Sequence, residues 1–243
     1  MKRIVTFFLP ALFLLAVAAS AQPSASLPSG DDVVAKMLQF DALRQSQLPG
    51  YTAIRHYVAG NNSRRAEMVV RVECASDGAK QFTVLSEGGS SAIRKHIFQK
   101  LLNEETEASR RGTRNSTRLT PENYEFKLVA KETIAAGPTY VFEVSPKTPN
   151  KYLIAGKIWV NADDYSIDRI EGQPARSPSF WVRSVHFVHT YQKVGQFWFA
   201  SSTDTKSQIR VFGESELTIT SSDYKLKSSS GPAELDHEAR LFQ

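Results

Sequence analysis

Apolar residues fall into three kinds of run along this chain, and each kind predicts a different element. The first run is nearly unbroken, from Ile4 to Val17, with Lys2 and Arg3 before it and Ala19-Ser20-Ala21 after it. A basic start, an apolar middle and a small-residue end predict a signal peptide over residues 1–21, leaving Gln22 as the new N-terminus. The run contains Pro10 and is short for a membrane span. No cysteine follows it for lipid attachment, so the pattern predicts a periplasmic or secreted chain. Residues 22–30, rich in Pro and Ser, predict a disordered spacer.

The second kind of run has helical spacing. Val33, Met37 and Phe40 recur at i, i+4 and i+7, with Val34 and Leu38 beside them. Ser29 followed by Asp32 resembles a capping box, and Asp31 and Asp32 suit the positive end of a helix that Pro49-Gly50 terminates. A second stripe, Ile93, Ile97 and Leu101, is widened by Phe98 and Leu102. This helix is expected to begin after Gly88-Gly89 breaks the sheet and to stop at Gly112.

The third kind alternates, with turn residues between the runs. Tyr51 to Ala59, Arg65 to Ala75 and Gln81 to Leu85 predict a three-stranded meander turning at Asn61-Asn62 and Asp77-Gly78. From Tyr124 to Leu226 the pattern predicts six or seven further strands. About ten antiparallel strands with two helices must twist and coil, and such a sheet closes or curls around something. Two stretches are apolar on both faces. Between Phe180 and Tyr191 one parity holds Trp181, Val185, Phe187 and Tyr191, and the other holds Phe180, Val182 and Val188. Tyr152 to Val160 behaves alike, with Leu153 and Trp159 opposing Ile154 and Ile158. The fold class is therefore mainly β (α+β): a curved antiparallel sheet forming an incomplete barrel wrapped around two or more helices. Residues 31–228 form one domain, and 229–243 a flexible tail.

Composition narrows the partners. The net charge is +5, and loss of Lys2 and Arg3 with the leader lowers it to +3. Neither value, nor the scatter of basic residues, is a nucleic-acid signature. Cys74 is the single cysteine, so no intramolecular disulfide forms and stability rests on core burial.

At Gly156-Lys157-Ile158-Trp159-Val160-Asn161-Ala162-Asp163-Asp164-Tyr165-Ser166-Ile167-Asp168-Arg169-Ile170 the chain resembles the glycine-led hairpin of the LolA/LolB-like half-barrel family, which includes RseB/MucB-like periplasmic regulators and outer-membrane lipoprotein-sorting proteins. Phe187 to Phe199, with a Tyr-x-x-Val-Gly-x-x-Trp-Phe-Ala turn that begins at Tyr191, is similar to the next hairpin of that family. Ala200 or Ser201 stands where a proline is usual there. The order of leader, helix, meander, second helix and long meander is similar over roughly Asp31 to Leu226. The resemblance implies an apolar cavity inside an incomplete barrel, used by some members to shield lipoprotein acyl chains. One departure concerns the early strand: Ala66 to Glu73 lacks the tryptophan, the Lys-Arg pair and the proline of the carriers. No lid-closing arginine is carried over, and Arg71 is the positional candidate there.

Other chemistry finds little support. His186 and His189, three apart on a strand, face opposite ways and cannot share a metal. Asp163-Asp164 reads as turn chemistry, and Glu104, Glu105 and Glu107 as a solvated helix face. Cys74, on a strand, lacks the setting that activates a thiol. No catalytic motif is present, so the expectation is a non-enzymatic protein without metal or cofactor. The expected role is binding of a lipid, acyl chain or lipoprotein, with lipoprotein sorting to the outer membrane as its setting. The alternative is a protein-binding or sensory regulator of the same fold. Cavity candidates are Met37, Phe98, Trp159, Trp181, Phe187 and Trp198. Arg71 and the loop arginines Arg110, Arg111, Arg114 and Arg118 are candidates for contact with headgroups, a membrane or a partner protein.

Overall fold

In a computed structural model, residues 27–110, 117–150, 152–177, 180, 182–210 and 213–227 are described. The leader, most of the spacer, the tail, Gly112, Arg111, Arg114 and Trp181 lie outside the described residues. Helix α1 (Gly30–Gln47) starts where expected, but the Ser29 side chain makes no capping bond; its carbonyl accepts from Val33 N–H instead. Strands β1 (Tyr51–Gly60), β2 (Arg65–Cys74) and β3 (Lys80–Gly89) form the first meander. Its turns use the predicted residues: Asn61 Oδ1 accepts from Ser63 and Arg64 N–H, and Asp77 Oδ1 from Ala79 N–H.

Gly88-Gly89 does not cut β3 short. The strand runs through both, and Gly89, at φ +78, makes the exit. Its Cβ position lies 2.3 Å from the Arg65 carbonyl, so only glycine fits there. The segments Ser91–Ile93, Arg94–Phe98 and Gln99–Ser109 then run on as one helix, α2, whose middle segment is a π-turn carrying the fully buried Phe98.

The second meander comprises β4 (Tyr124–Ile134), β5 (Gly137–Pro146), β6 (Ile154–Asn161), β7 (Ile167–Pro174), β8 (Val182–Val194), β9 (Phe197–Ile209) and β10 (Gly213–Leu226). All ten strands join one antiparallel, unclosed, curved sheet in the order β3-β2-β1-β10-β9-β8-β7-β6-β5-β4. The two meanders therefore meet where β1 pairs with β10. Between β6 and β7, Gly156 stands opposite Gly172. A Cβ on Gly156 would lie 2.1 Å from the Glu171 carbonyl, and one on Gly172 2.4 Å from that of Ala155. This glycine pair lets two backbones approach as side chains would forbid.

Three apolar clusters fill the concave side. Val33, Val34 and Met37 of α1 pack on Phe142, Val144, Ile158 and Val160. Phe98, Ile93 and Leu102 of α2 pack on Tyr57, Met68 and Val70. Tyr51, Ala53 and Cys74 meet Phe197 and Phe199 between them. Tyr124 hydroxyl accepts from Ile154 N–H at 3.1 Å, fixing the start of β6 two residues later than the apolar pattern suggests.

Candidate functional site

The third cluster is thin, and a cavity of about 750 Å³ opens beside it, between the two helices and the concave sheet. Alternation decides which side chains reach it. On β1 the odd residues Tyr51, Ala53, Arg55 and Tyr57 face inward, and on β7 Ile167 and Ile170 line the space on either side of a bulge at Asp168. On β8, His189 and Tyr191 lie edge to face on the inner side, with ring centroids 5.0 Å apart. Met37 and Leu38 of α1, with Leu48 just past its end, close the cavity on one side, and Phe197 and Phe199 of β9 on another. Tyr51, Phe199 and Tyr224 form a continuous aromatic contact, with Phe199 stacked on Tyr224 at 4.5 Å.

Charged side chains also line this space: Asp41, Arg44, Asp77, Lys80, Glu105 and Arg118, balanced in sign. Arg118 bonds Asp41 at 2.9 Å, and Arg44 donates to the Asp164 carbonyl at 2.9 Å. These bonds tie the outer end of α1 to the loop after α2 and to the β6–β7 turn. Phe40 stacking on Tyr165 at 5.7 Å strengthens the second tie.

Within the concave side stands an ion cluster. Glu105, from α2, accepts from Arg55 on β1 and from Lys80 on β3, each at 2.7 Å. Burial pushes its carboxyl up, but Lys80 and Arg55 outweigh that and hold it at about 2. Glu105 is thus a structural anion, and its assignment to a solvated face is corrected. Its partners are distant in sequence, so helix spacing alone carried no sign of them. Near this cluster, burial and then the charge of Arg55 hold His189 at about 4, so its ring is neutral at pH 7. His186 stands on the outer face, against Glu171 at 3.4 Å.

The β6–β7 turn is a second polar centre. Asn161 Oδ1 takes the local amides of Asp163 and Asp164, while Asp164 binds Ser166 with one oxygen. Its other oxygen accepts from Lys193 at 2.8 Å and Trp198 Nε1 at 2.9 Å. Burial would raise the Asp164 carboxyl, but the bonds from Lys193, Ser166 and Trp198 hold it well below the carboxylate range. The aspartate therefore serves the β8–β9 hairpin as well as its own turn.

Of the candidate residues, Met37, Trp198 and Arg118 line the cavity together. Phe98 is filled in beneath α2. Phe187 has the inward parity of His189 but stands opposite Gly172, away from the cavity lining. Trp159 alternates with the inward Ile158 and Val160, and on the outer side its Nε1 donates to Glu132 while Arg169 covers its ring. Arg71 is exposed between the buried Val70 and Val72, on the face away from the cavity. Arg110 pairs with Glu107 at the exposed end of α2. Tyr191, Phe199 and Ile170 were missed as lining residues; their inward parity was readable, but no periodicity says where two helices leave a gap.

No family model matches the chain, and no curated protein does. Among solved structures it is similar to a DUF1329 family protein from Desulfovibrio piger, at 11% identity and TM-score 0.44, covering 86% of this chain and 98% of that one. It is also similar to an outer membrane lipoprotein-sorting protein domain from Vibrio parahaemolyticus (11%, TM-score 0.43, 84% and 96%). A LolA superfamily protein from Nitrosomonas europaea is a third (11%, TM-score 0.38, 83% and 94%). At such identities and scores they say nothing of what this chain binds.

Proposed function

We propose that this protein is a non-enzymatic carrier or scavenger that holds an acyl chain, of a lipid or a lipoprotein, in the cavity between α1, α2 and the concave sheet. The observation that carries the reading is the cavity itself: an apolar floor of Met37, Leu48, Ile170, Tyr191 and Phe199 opening past charged side chains. Its volume, about 750 Å³, falls in the range of roughly 300–1,000 Å³ usual for small-molecule sites. Each methylene moved from water to such a floor contributes about 0.8 kcal/mol, without any directional bond. The polar mouth suits an amphiphile whose headgroup stays in water. With the leader read from the sequence, the reading sets this binding in an exported chain, and sorting of lipoproteins between membranes is the setting it fits. Among the described residues no helix is long and apolar enough to cross a membrane.

Native mass spectrometry of the gently purified mature chain, followed by lipid extraction, tests the proposal. A stoichiometric lipid or acylated peptide is the expected result. Uptake of a fluorescent fatty acid should fall about 100-fold in Ile170→Glu, because an unpaired carboxylate in that floor is costly to desolvate. The same uptake should be unchanged in Tyr152→Ala, which is exposed and off the cavity. A folded protein that is empty and takes up no probe refutes the proposal, and capture of a partner protein then becomes the leading reading.

A further inference from the structure

The charges that line the cavity balance in number but not in pairing. Asp41 holds Arg118, and Glu105 holds Lys80 with Arg55 behind it. Asp77 turns a carboxylate oxygen to the amide of Ala79 in its own turn. Arg44 is the cation left over: among the described residues no carboxylate pairs with it. Asp41, one turn back on α1, is taken by Arg118, and the Asp164 carboxylate is taken by Lys193 and Trp198.

Position makes this charge usable. Met37, Asp41, Arg44 and Leu48 recur at i, i+4, i+7 and i+11, so a single face of α1, continued just past its end, turns them to the cavity. Arg44 is half-buried on that face, with the apolar Met37 and Leu48 on either side of it. Its Nη1 donates to the Asp164 carbonyl at 2.9 Å, which orients the guanidinium, and no other bond engages the group among the described residues. A guanidinium held in this way offers a planar fork that fits a carboxylate through two parallel bonds. Apolar neighbours strengthen such bonds relative to water. Resting on the acyl-chain reading above, we propose that Arg44 binds the carboxylate of a free long-chain fatty acid whose alkyl chain lies on the cavity floor. The cavity then selects the free acid over its esters. One unpaired cation matches one monoanion. An ester brings no charge to offset desolvation of the guanidinium, and a phosphate monoester, at about −1.5 to −2, brings too much.

Calorimetric titration of the mature chain at neutral pH with palmitate and with methyl palmitate reads the preference. The charge-assisted fork should make the acid bind on the order of 10- to 100-fold more tightly than the ester. Arg44→Gln should bring the two close to equal by weakening the acid alone. Loss of the tie between α1 and Asp164 would weaken acid and ester alike, so the ratio separates a binding role from a structural one. Arg44→Lys keeps the charge without the fork and should retain only part of the preference. Equal binding of acid and ester by the unmodified chain overturns the proposal and leaves the carrier reading standing. So does a preference undiminished in Arg44→Gln. Binding of neither ligand removes the carrier reading and this proposal with it. Should Arg44→Gln fail to fold, an undiminished ratio in Arg44→Lys overturns the proposal in its place.

Discussion

Glu105→Gln is the substitution whose consequence the ion cluster defines most sharply. The change keeps the size of the side chain but leaves Arg55 and Lys80 with no anion between them. Lys80 is 24% exposed and can turn to water, whereas the Arg55 side chain is 9% exposed and cannot. Removing one partner of a fully buried pair costs about 3–5 kcal/mol, and of an exposed pair about 1 kcal/mol or less. Glu105, 30% exposed, lies between these limits, so a loss of about 2–3 kcal/mol is expected. For a chain of this size that lowers Tm by about 4–12 °C. Urea unfolding at several pH values is the assay. The folded protein holds Glu105 at about 2 against an ordinary 4.5, so the unfolded chain takes up the proton first. The stability that Glu105 supplies is thus complete above pH 4.5 and is lost as pH falls toward 2. Asp164 acts in the same direction, so the diagnostic quantity is the gap between wild type and variant. That gap should be full at pH 7 and shrink through this acid window. A gap under about 0.5 kcal/mol at pH 7, or one that does not change with pH, refutes the assignment.

Other parts of the structure make equally direct predictions. Asp168 is 3% exposed, and burial, with Asp164 nearby, pushes its carboxyl up to about 6 against the bond from Asn161. A raised carboxyl contributes stability below its ordinary pKa and loses it as pH rises through the folded value. Asp168→Asn should therefore gain on the order of 1–2 kcal/mol at pH 7 and little at pH 4, read by chemical unfolding at both. Gly172→Ala should cost about 3 kcal/mol or more, because its Cβ meets backbone, whereas Gly88→Ala, whose nearest neighbour is 3.9 Å away, should be neutral or mildly stabilising; thermal melts compare them. Tyr124→Phe strands the Ile154 amide, costing about 1–2 kcal/mol, and faster hydrogen exchange at Ile154 would locate the effect.

Period and punctuation carried the elements of the fold. Helix α1 and the strands of both meanders lie close to the apolar patterns that predict them, and the Asn61 and Asp77 turns use the side chains expected. What period could not carry was partnership across the sheet. Glu105 reads as helix surface until Arg55 and Lys80 arrive from two strands. Trp159 and Trp198 look alike as strand tryptophans, yet one is covered on the outer face by Glu132 and Arg169, and the other lines the cavity while bonded to Asp164. Parity shows which residues share a face, but the direction of that face follows from where the helices settle. The cavity depends on two helices failing to meet, and no local pattern records a gap.

The pairing of β1 with β10 bears on how the chain reaches this fold. Tyr51 registers with Leu226, so the first strand cannot find its inner neighbour until nearly all the chain is available. The seven sequential strands of the second meander need only local hairpins, whereas joining the first meander to them closes a loop of most of the domain and carries its entropy. Until that closure, β1 would remain a bare margin, with Ile54, His56 and Val58 beside unpaired amides. A chain threaded through a membrane from its N-terminus would hold that margin open until β10 emerged, and the interval is one in which a holding chaperone has something to grip.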